Sequence, residues 1–455
     1  MSRLIVISNR VSAPTIDQPS AQGGLAVALT AALREADGIW FGWSGKTGVT
    51  GEPRFETYDG VTSATIDLPE QDVEEYYDGY ANRTLWPLFH YRLGLTEFER
   101  DFQGGYERVN RLFGAVIGPH IQPDDLIWVH DYHMIPLGWI LRQRGLTNRL
   151  GFFLHIPWPP TRLLTALPDH RRLVEALFAY DVVGFQSREW LETFHDYVVN
   201  QMDGAVGEDD KVTVGARTIR AIACPIGIDA KEFIASATSA EAQTTHDRMV
   251  RSSIGRSLIV GVDRLDYSKG IEERFNGYQR YLETRPDARA NVYLLQIAPP
   301  SRATVQSYMD IRAQLDALSG RINGAFADID WVPLRYVNQG FPRDVLAGIY
   351  RSARVGLVTP LRDGMNLVAK EYVAAQNPED PGVLILSRFA GAAAQLSEAL
   401  LVNPYSPDDI ADAIERALAM TREERVRRWR TLFANVRDED VIWWRRRFTD
   451  RLERA

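Results

Sequence analysis

Short apolar runs alternate with stretches of helical spacing along almost the whole chain. Leu4 to Ser8 predicts a first buried strand that stops at Asn9-Arg10, and Gly23-Gly24 directly precedes the helical pattern Leu25 to Leu33. Further strands are predicted at 39–45 and 61–68. The segment 71–92, acidic at its start and aromatic throughout, predicts a helix leading into Trp86-Pro87. Residues 126–130 predict a strand, followed by the polar cluster His130-Asp131-Tyr132-His133 and a helix from about Met134. The next strand ends at His155, where Pro157, Pro159 and Pro160 block continuation. Helix, strand and helix follow over 171–202, and 211–229 reads as a hairpin whose second strand finishes the first half.

Pro225 and Gly227 then punctuate the chain, which puts a boundary near 227–235 and a first domain over 1–230. The grammar restarts with a strand at 257–262, a helix from about Gly270, a strand ending at Gln296, a long helix and the segment 331–341. Val355, Leu357 and Val358 predict a buried strand, Asp363-Gly364 a turn, and Leu367, Val368, Ala369, Val373 and Ala374 a helix; a strand at 383–387 comes after. This second domain is expected over 231–435. A last helical stretch, 436–455, carries Trp443 and Trp444, which need burial, and is expected to pack back on the first domain. Alternating strands and helices give an α/β chain with a parallel, doubly wound sheet in each half, and 455 residues exceed what one hydrophobic core usually organises.

Composition narrows the function classes. With 45% hydrophobic and 25% charged residues the chain is an ordinary soluble globular protein, and a net charge of -8 argues against a nucleic-acid footprint. The arginines of 425–430 and 445–447 lie in acid-containing helices and read as solvated faces. One cysteine, Cys224, excludes an internal disulfide and a cysteine-rich metal site. The apolar run at the N-terminus is too short for a signal peptide and no stretch is long enough to span a bilayer, so the cytoplasm is the expected location.

Candidate chemistry centres on residues 354–376. A strand that feeds a helix aims backbone N–H groups and the positive end of the helix dipole at an anion above the strand end. Asp363 at the mouth and Glu371 eight positions on suit an elongated ligand with an anion in its middle, such as a nucleoside diphosphate sugar. Arg264 and Lys269 bracket the loop after strand 257–262, and two cations against a diphosphate supply the charge a metal would otherwise bring. Asp131 and His155 sit at carboxyl ends of parallel strands, where open α/β sheets hold ligands. Tyr77 and Trp86 are candidates for a ligand wall. His130 and His133 are possible zinc ligands, but without cysteine partners or HExxH spacing no metal is expected.

The motifs VISNR, GGL, WFGWSG, LWPLFHYR, WVHDYH, FFLHIPWP, DRLDYSKG, QIAPPSR and RDGMNLVAKEYVAAQ, in this order along nearly the whole chain, resemble the trehalose-6-phosphate synthase family. The resemblance implies two Rossmann-like domains of the GT-B type with the active site in the cleft, and a retaining, cofactor- and metal-independent glucosyl transfer from a nucleotide glucose, UDP-glucose first, to glucose 6-phosphate. It implies that Gly23, Gly24, Arg264 and Lys269 hold the donor phosphates and Glu371 the ribose. Asp363, His155 and the backbone of Gly364, Met365, Asn366 and Leu367 would hold the transferred glucose, and the backbone near Ile297, Phe341 and Val368 the base. Asp131 would meet acceptor hydroxyls, while Arg10, Tyr77, Trp86 and Arg302 would form the acceptor phosphate pocket. The sequence departs from the pattern at Gln22, where a small residue is expected, and at Trp158, where Phe is more usual. A homo-oligomer is compatible with this reading. A sister synthase with another phosphorylated acceptor such as glycerol 3-phosphate, a non-catalytic regulatory subunit, and a nucleotide-sugar epimerase or hydrolase are the alternatives.

Overall fold

Residues 3–11, 29–30, 33–34, 37–302 and 304–455 are described by the computed structural model. The chain divides into two units, one of Met1–Ile226 with Val441–Ala455 and one of Gly227–Asp440. The first is built on β1 (Leu4–Arg10), β2 (Ile39–Thr47), β3 (Arg54–Tyr58), β4 (Val61–Leu68), β5 (Leu126–His130), β6 (Leu150–Leu154), β7 (Val182–Phe185), β8 (Ala205–Val206), β9 (Lys211–Val214) and β10 (Arg217–Ala223). These form one sheet in the order β3-β4-β2-β1-β5-β6-β7-β10-β9-β8. Its centre is parallel: β1 lies between β2 and β5, and Ile5, Val6 and Ile7 are fully buried because helices cover both faces. Its edges are antiparallel, β3 against β4 and β9 against β8 and β10.

Three local expectations change. β3 gave no sequence signal because Arg54–Tyr58 is an edge strand whose residues are mostly exposed; Arg54 pairs with Asp67 at 2.7 Å. The aromatic segment is not one α-helix: Glu70–Asp72 is a short α-helix, Val73–Leu85 a π-helix and Trp86–Phe89 a further α-turn, with Trp86 N–H donating to Ala81 O five residues back. Tertiary partners favour that register, since Tyr76 OH donates to Asn9 Oδ1 at 2.7 Å and Tyr80 OH to Asp169 Oδ1 at 3.1 Å. After β5 the chain makes a 3-10 turn at Tyr132–Met134 before its helix starts at Leu137.

The last helix, Val441–Glu453, belongs to the first unit. Trp444 and Phe448 are fully buried, Phe448 stacking on Trp128 with centroids 4.7 Å apart. Gly151 in β6 and Gly184 in β7 make the slot, because a Cβ on either would come within 2.8 Å of the Phe448 ring. Phe448→Ala should therefore cost about 3–5 kcal/mol of stability, read as a lower denaturant midpoint with unchanged slope. The arginine-rich helices are not only solvated faces: Arg425 and Arg445 are buried, and Arg425 Nη1 meets Asp380 Oδ1 at 2.6 Å, so its charge goes inside paired.

The second unit carries β11 (Ser257–Val262), β12 (Val292–Ile297), β13 (Leu334–Val337), β14 (Val355–Val358), β15 (Val383–Ser387) and β16 (Leu400–Val402) in the order β13-β12-β11-β14-β15-β16. All pairs are parallel. Ile259, Leu294, Leu357 and Ile385 are buried in its core. The chain runs outward from β11 to β13 and then returns to β14 on the other side, which makes the carboxyl ends of β11 and β14 a topological switch point. Both units are thus Rossmann-like α/β folds. Among the described residues no helix is long and apolar enough to cross a membrane.

Candidate active site

At the switch point of the second unit, β14 leads through Thr359 to Asn366 into the helix Leu367–Ala375. The expected Asp363-Gly364 turn is not what opens that helix. Asp363 forms a parallel bridge with Ala390, donating its N–H to Phe389 O and accepting from Gly391 N–H. The left-handed residue is Asn366 (φ 83), whose Oδ1 accepts from Ala369 N–H at 3.1 Å. Asparagine tolerates this conformation and caps at once, which divides the work assigned to glycine. The amides of Leu367 and Val368 lie in the first turn, where a helix offers no carbonyl partner. Gly391 is needed for closeness: a Cβ there would stand 1.9 Å from Gly364 O.

The loop after β11 supplies the charge. Lys269 Nζ donates to Asp363 Oδ2 at 2.6 Å, and Asn366 Nδ2 to the same oxygen at 3.2 Å. Arg264, just past β11, is exposed. Arg302 has φ 49 and reaches Asp266 Oδ2 at 3.5 Å with its guanidinium against the Tyr308 ring. Glu371 lies in the second turn of the helix, where burial pushes its carboxyl up to about 7 despite Arg343. Ile297 ends β12, and Phe341 lies between β13 and the helix Arg343–Ser352. Met365 O accepts from Ala392 N–H at 2.8 Å.

The first unit gathers a second set of groups at the ends of β1, β5 and β6. Arg10 lies over Trp43 (6.0 Å) and against Gly45, whose φ of 83 and missing Cβ admit the guanidinium. Trp43 meets the edge of Tyr77 at 5.4 Å, Tyr77 stacks on His133 at 6.1 Å, and Tyr132 joins His133 (3.9 Å) to Trp86 (5.8 Å). Arg10, Tyr77 and Trp86 thus share one aromatic run through Trp43, Tyr132 and His133. Trp86 is buried.

Asp131 has φ 74, a strained backbone for a residue with a side chain, and its Oδ1 accepts from His155 N–H at 3.1 Å. The His155 ring is held on both sides. Ile226 N–H donates to Gln186 Oε1 (2.9 Å), which leaves Gln186 Nε2 to donate to His155 Nδ1 (3.1 Å). His155 therefore carries its proton on Nε2 and donates it to His130 Nδ1 at 3.0 Å. Burial pushes His155 down to about 3, and burial followed by the His155 charge pushes His130 down too. Both rings stay neutral in ordinary buffers, which makes His155 a hydrogen-bonding group here and not an acid. Of the two histidines considered for zinc, His130 accepts from His155 through Nδ1 and His133 stacks on Tyr77, and no group of three or more metal-ligating side chains occurs among the described residues.

A stability prediction follows from the sign of these shifts. The unfolded chain binds protons near 6.5 that the folded chain refuses until about 3, so stability is complete above 6.5 and falls as pH drops through that window. Going from pH 7 to pH 5 should cost about 2 kcal/mol for each such histidine, measured by urea unfolding, and His130→Phe should flatten the profile.

Gly23 and Gly24 lie outside the described residues. Trp43, Gln186 and Arg274 were not singled out from the sequence, and Tyr132 was named only as a member of the polar cluster 130–133; the place of Trp43 inside an aromatic motif was the one signal that pointed to it.

The matched family model, described as Glycosyltransferase family 20, covers residues 3–454. A trehalose-6-phosphate synthase of Sinorhizobium fredii is 48% identical over 456 residues, covering 99% of this chain and 98% of the relative. A solved α,α-trehalose-phosphate synthase (UDP-forming) from Burkholderia xenovorans, in complex with glucose-6-phosphate, is 48% identical with a TM-score of 0.95, covering 99% of this chain and 100% of that one. A trehalose-6-phosphate protein from E. coli bound with UDP-2-fluoro glucose is 44% identical with a TM-score of 0.96, covering 100% and 99%. With a family model and relatives matching from end to end, the chain belongs to glycosyltransferase family 20.

Proposed function

We propose that the protein transfers glucose, with retention, from UDP-glucose to glucose 6-phosphate, giving α,α-trehalose 6-phosphate and UDP. The observation that carries this reading is the anion-binding frame at the β11/β14 switch point, Lys269 paired with Asp363 beside the capped helix start, in a chain alike from end to end to UDP-forming trehalose-phosphate synthases. The donor C1–O bond to the diphosphate breaks, a bond from C1 to the acceptor O1 forms on the same face, and the acceptor proton passes to the departing phosphate oxygen. Arg264, Lys269 and the first-turn amides stabilise the charge that develops on that leaving group. Gly23 and Gly24 are assigned to the same diphosphate.

Glu371 is assigned to the ribose; Asp363, His155 and the backbone of Gly364 to Leu367 to the transferred glucose; Ile297, Phe341 and Val368 to the base. Asp131 is assigned to acceptor hydroxyls, and Arg10, Tyr77, Trp86 and Arg302 to the acceptor and its phosphate. In this division 1–230 is the acceptor domain, 231–435 the donor domain, and 436–455 a helix serving the first. A cytoplasmic setting is part of the proposal, supported by a lone buried thiol that asks for no oxidising surroundings.

The test is a matrix of nucleotide glucoses against phosphorylated acceptors with product identification, run with and without EDTA. UDP-glucose with glucose 6-phosphate should give the phosphorylated disaccharide at a rate that EDTA leaves unchanged. Absence of nucleotide release with every donor would sink the reading, and loss of turnover in EDTA restored by magnesium would sink the role given to Arg264 and Lys269.

A further inference from the structure

Beneath the Lys269 loop lies an arginine with no access to solvent. Arg274, in the helix Ile271–Thr284, is 0% exposed, and such burial is tolerated only when the guanidinium is fully engaged. Its Nη1 donates to Asp263 Oδ2 and to Gln296 Oε1, both at 2.7 Å, and its Nε to Thr359 Oγ1 at 3.0 Å. Those partners stand at the carboxyl ends of β11, β12 and β14, so one side chain ties together the three strands that carry the donor loops. The backbone is shaped to receive it: a Cβ on Gly261, in β11, would fall 2.6 Å from Nη1 and 2.4 Å from Gln296 Oε1. The loop above is bound into the same network, because Leu361 N–H donates to Ser268 O at 2.8 Å and Arg274 N–H to Gly270 O at 2.9 Å.

We propose that Arg274 is a positioning residue for the donor diphosphate: by neutralising Asp263 in a socket opened by Gly261, it keeps the charge of Lys269 for Asp363 and the ligand. Asp263 is buried, and among the groups acting on it Lys269 is the other cation besides Arg274. A carboxylate left unpaired at that depth attracts the remaining cation that acts on it. With Arg274 gone, Lys269 is the group that turns inward, away from the position from which it meets Asp363. This inference rests on the donor reading given above.

The experiment measures UDP affinity by calorimetry and the KM values for UDP-glucose and glucose 6-phosphate, with thermal unfolding of each variant. Arg274→Met should weaken UDP binding and raise the donor KM about tenfold or more, as for loss of one charge-assisted hydrogen bond, while the acceptor KM stays put. Removing the stranded carboxylate as well, in Arg274→Met with Asp263→Asn, should return most of the UDP affinity. Gly261→Ala, which crowds the guanidinium without removing it, should reproduce the donor defect and decides the matter should Arg274→Met not fold. UDP affinity unchanged in Arg274→Met or in Gly261→Ala overturns the inference, as does a defect that falls equally on both substrates and persists in the double variant. A wild-type protein that neither binds UDP nor turns over UDP-glucose overturns the proposed function instead.

Discussion

Arg264→Ala should lower kcat by about 100-fold or more with the fold intact, the effect of losing one preorganised donor to a developing oxyanion. In the proposed reaction negative charge grows on the leaving diphosphate while no enzymatic nucleophile shares the work. Orientation and leaving-group stabilisation then carry the catalysis. Arg264 stands one residue past Asp263 at the end of β11, and Asp263 already has Arg274 as its partner, so Arg264 is not required to neutralise it. Unfolding of the variant should match wild type, because the residue is exposed. A rate loss below tenfold with saturating substrates would remove Arg264 from the leaving-group role. Lys269→Ala is a less clean test, since it also removes the ion-pair partner of Asp363.

Arg302→Ala should raise the glucose 6-phosphate KM by about 30-fold or more, leave the UDP-glucose KM nearly unchanged, and narrow the preference for glucose 6-phosphate over glucose. Its guanidinium is held between Tyr308 and the buried Asp266, and its backbone stays in the left-handed region at φ 49, an expense for a residue with a long side chain. On the proposed assignment of Arg302 to the acceptor phosphate, such anchoring preorganises the cation, and an unphosphorylated acceptor lacks the group assigned to it. Measured against both acceptors, an equal loss of efficiency would make Arg302 a structural partner of Asp266 and nothing more.

The buried strands could be read directly from the chain. Ile5 to Ile7, Val355 to Val358 and Val383 to Leu386 are covered on both faces, so their apolar runs are continuous and state their position without help from any other segment. The helices at 188–202 and 271–284 announced themselves by period in the same way. Motif order carried the family, and strand ends followed by polar residues carried Asp131, His155, Arg264 and Lys269 to the candidate list.

Other features needed the folded chain. The π-register of Val73–Leu85 goes with tyrosines that reach Asn9 and Asp169, and the cap at Asn366 rather than a turn at Gly364 goes with the bridge from Asp363 to Ala390. Lys269 meets Asp363 across 94 positions, and His155 takes its tautomer from Gln186 and Ile226. Arg274 looks in sequence like any arginine on an amphipathic helix. Hydrophobic period is a property of neighbours along the chain and survives without tertiary contacts, whereas the ionisation, tautomer and orientation of a polar side chain depend on which distant group reaches its few hydrogen-bonding atoms at about 3 Å, and only the folded backbone sets that distance.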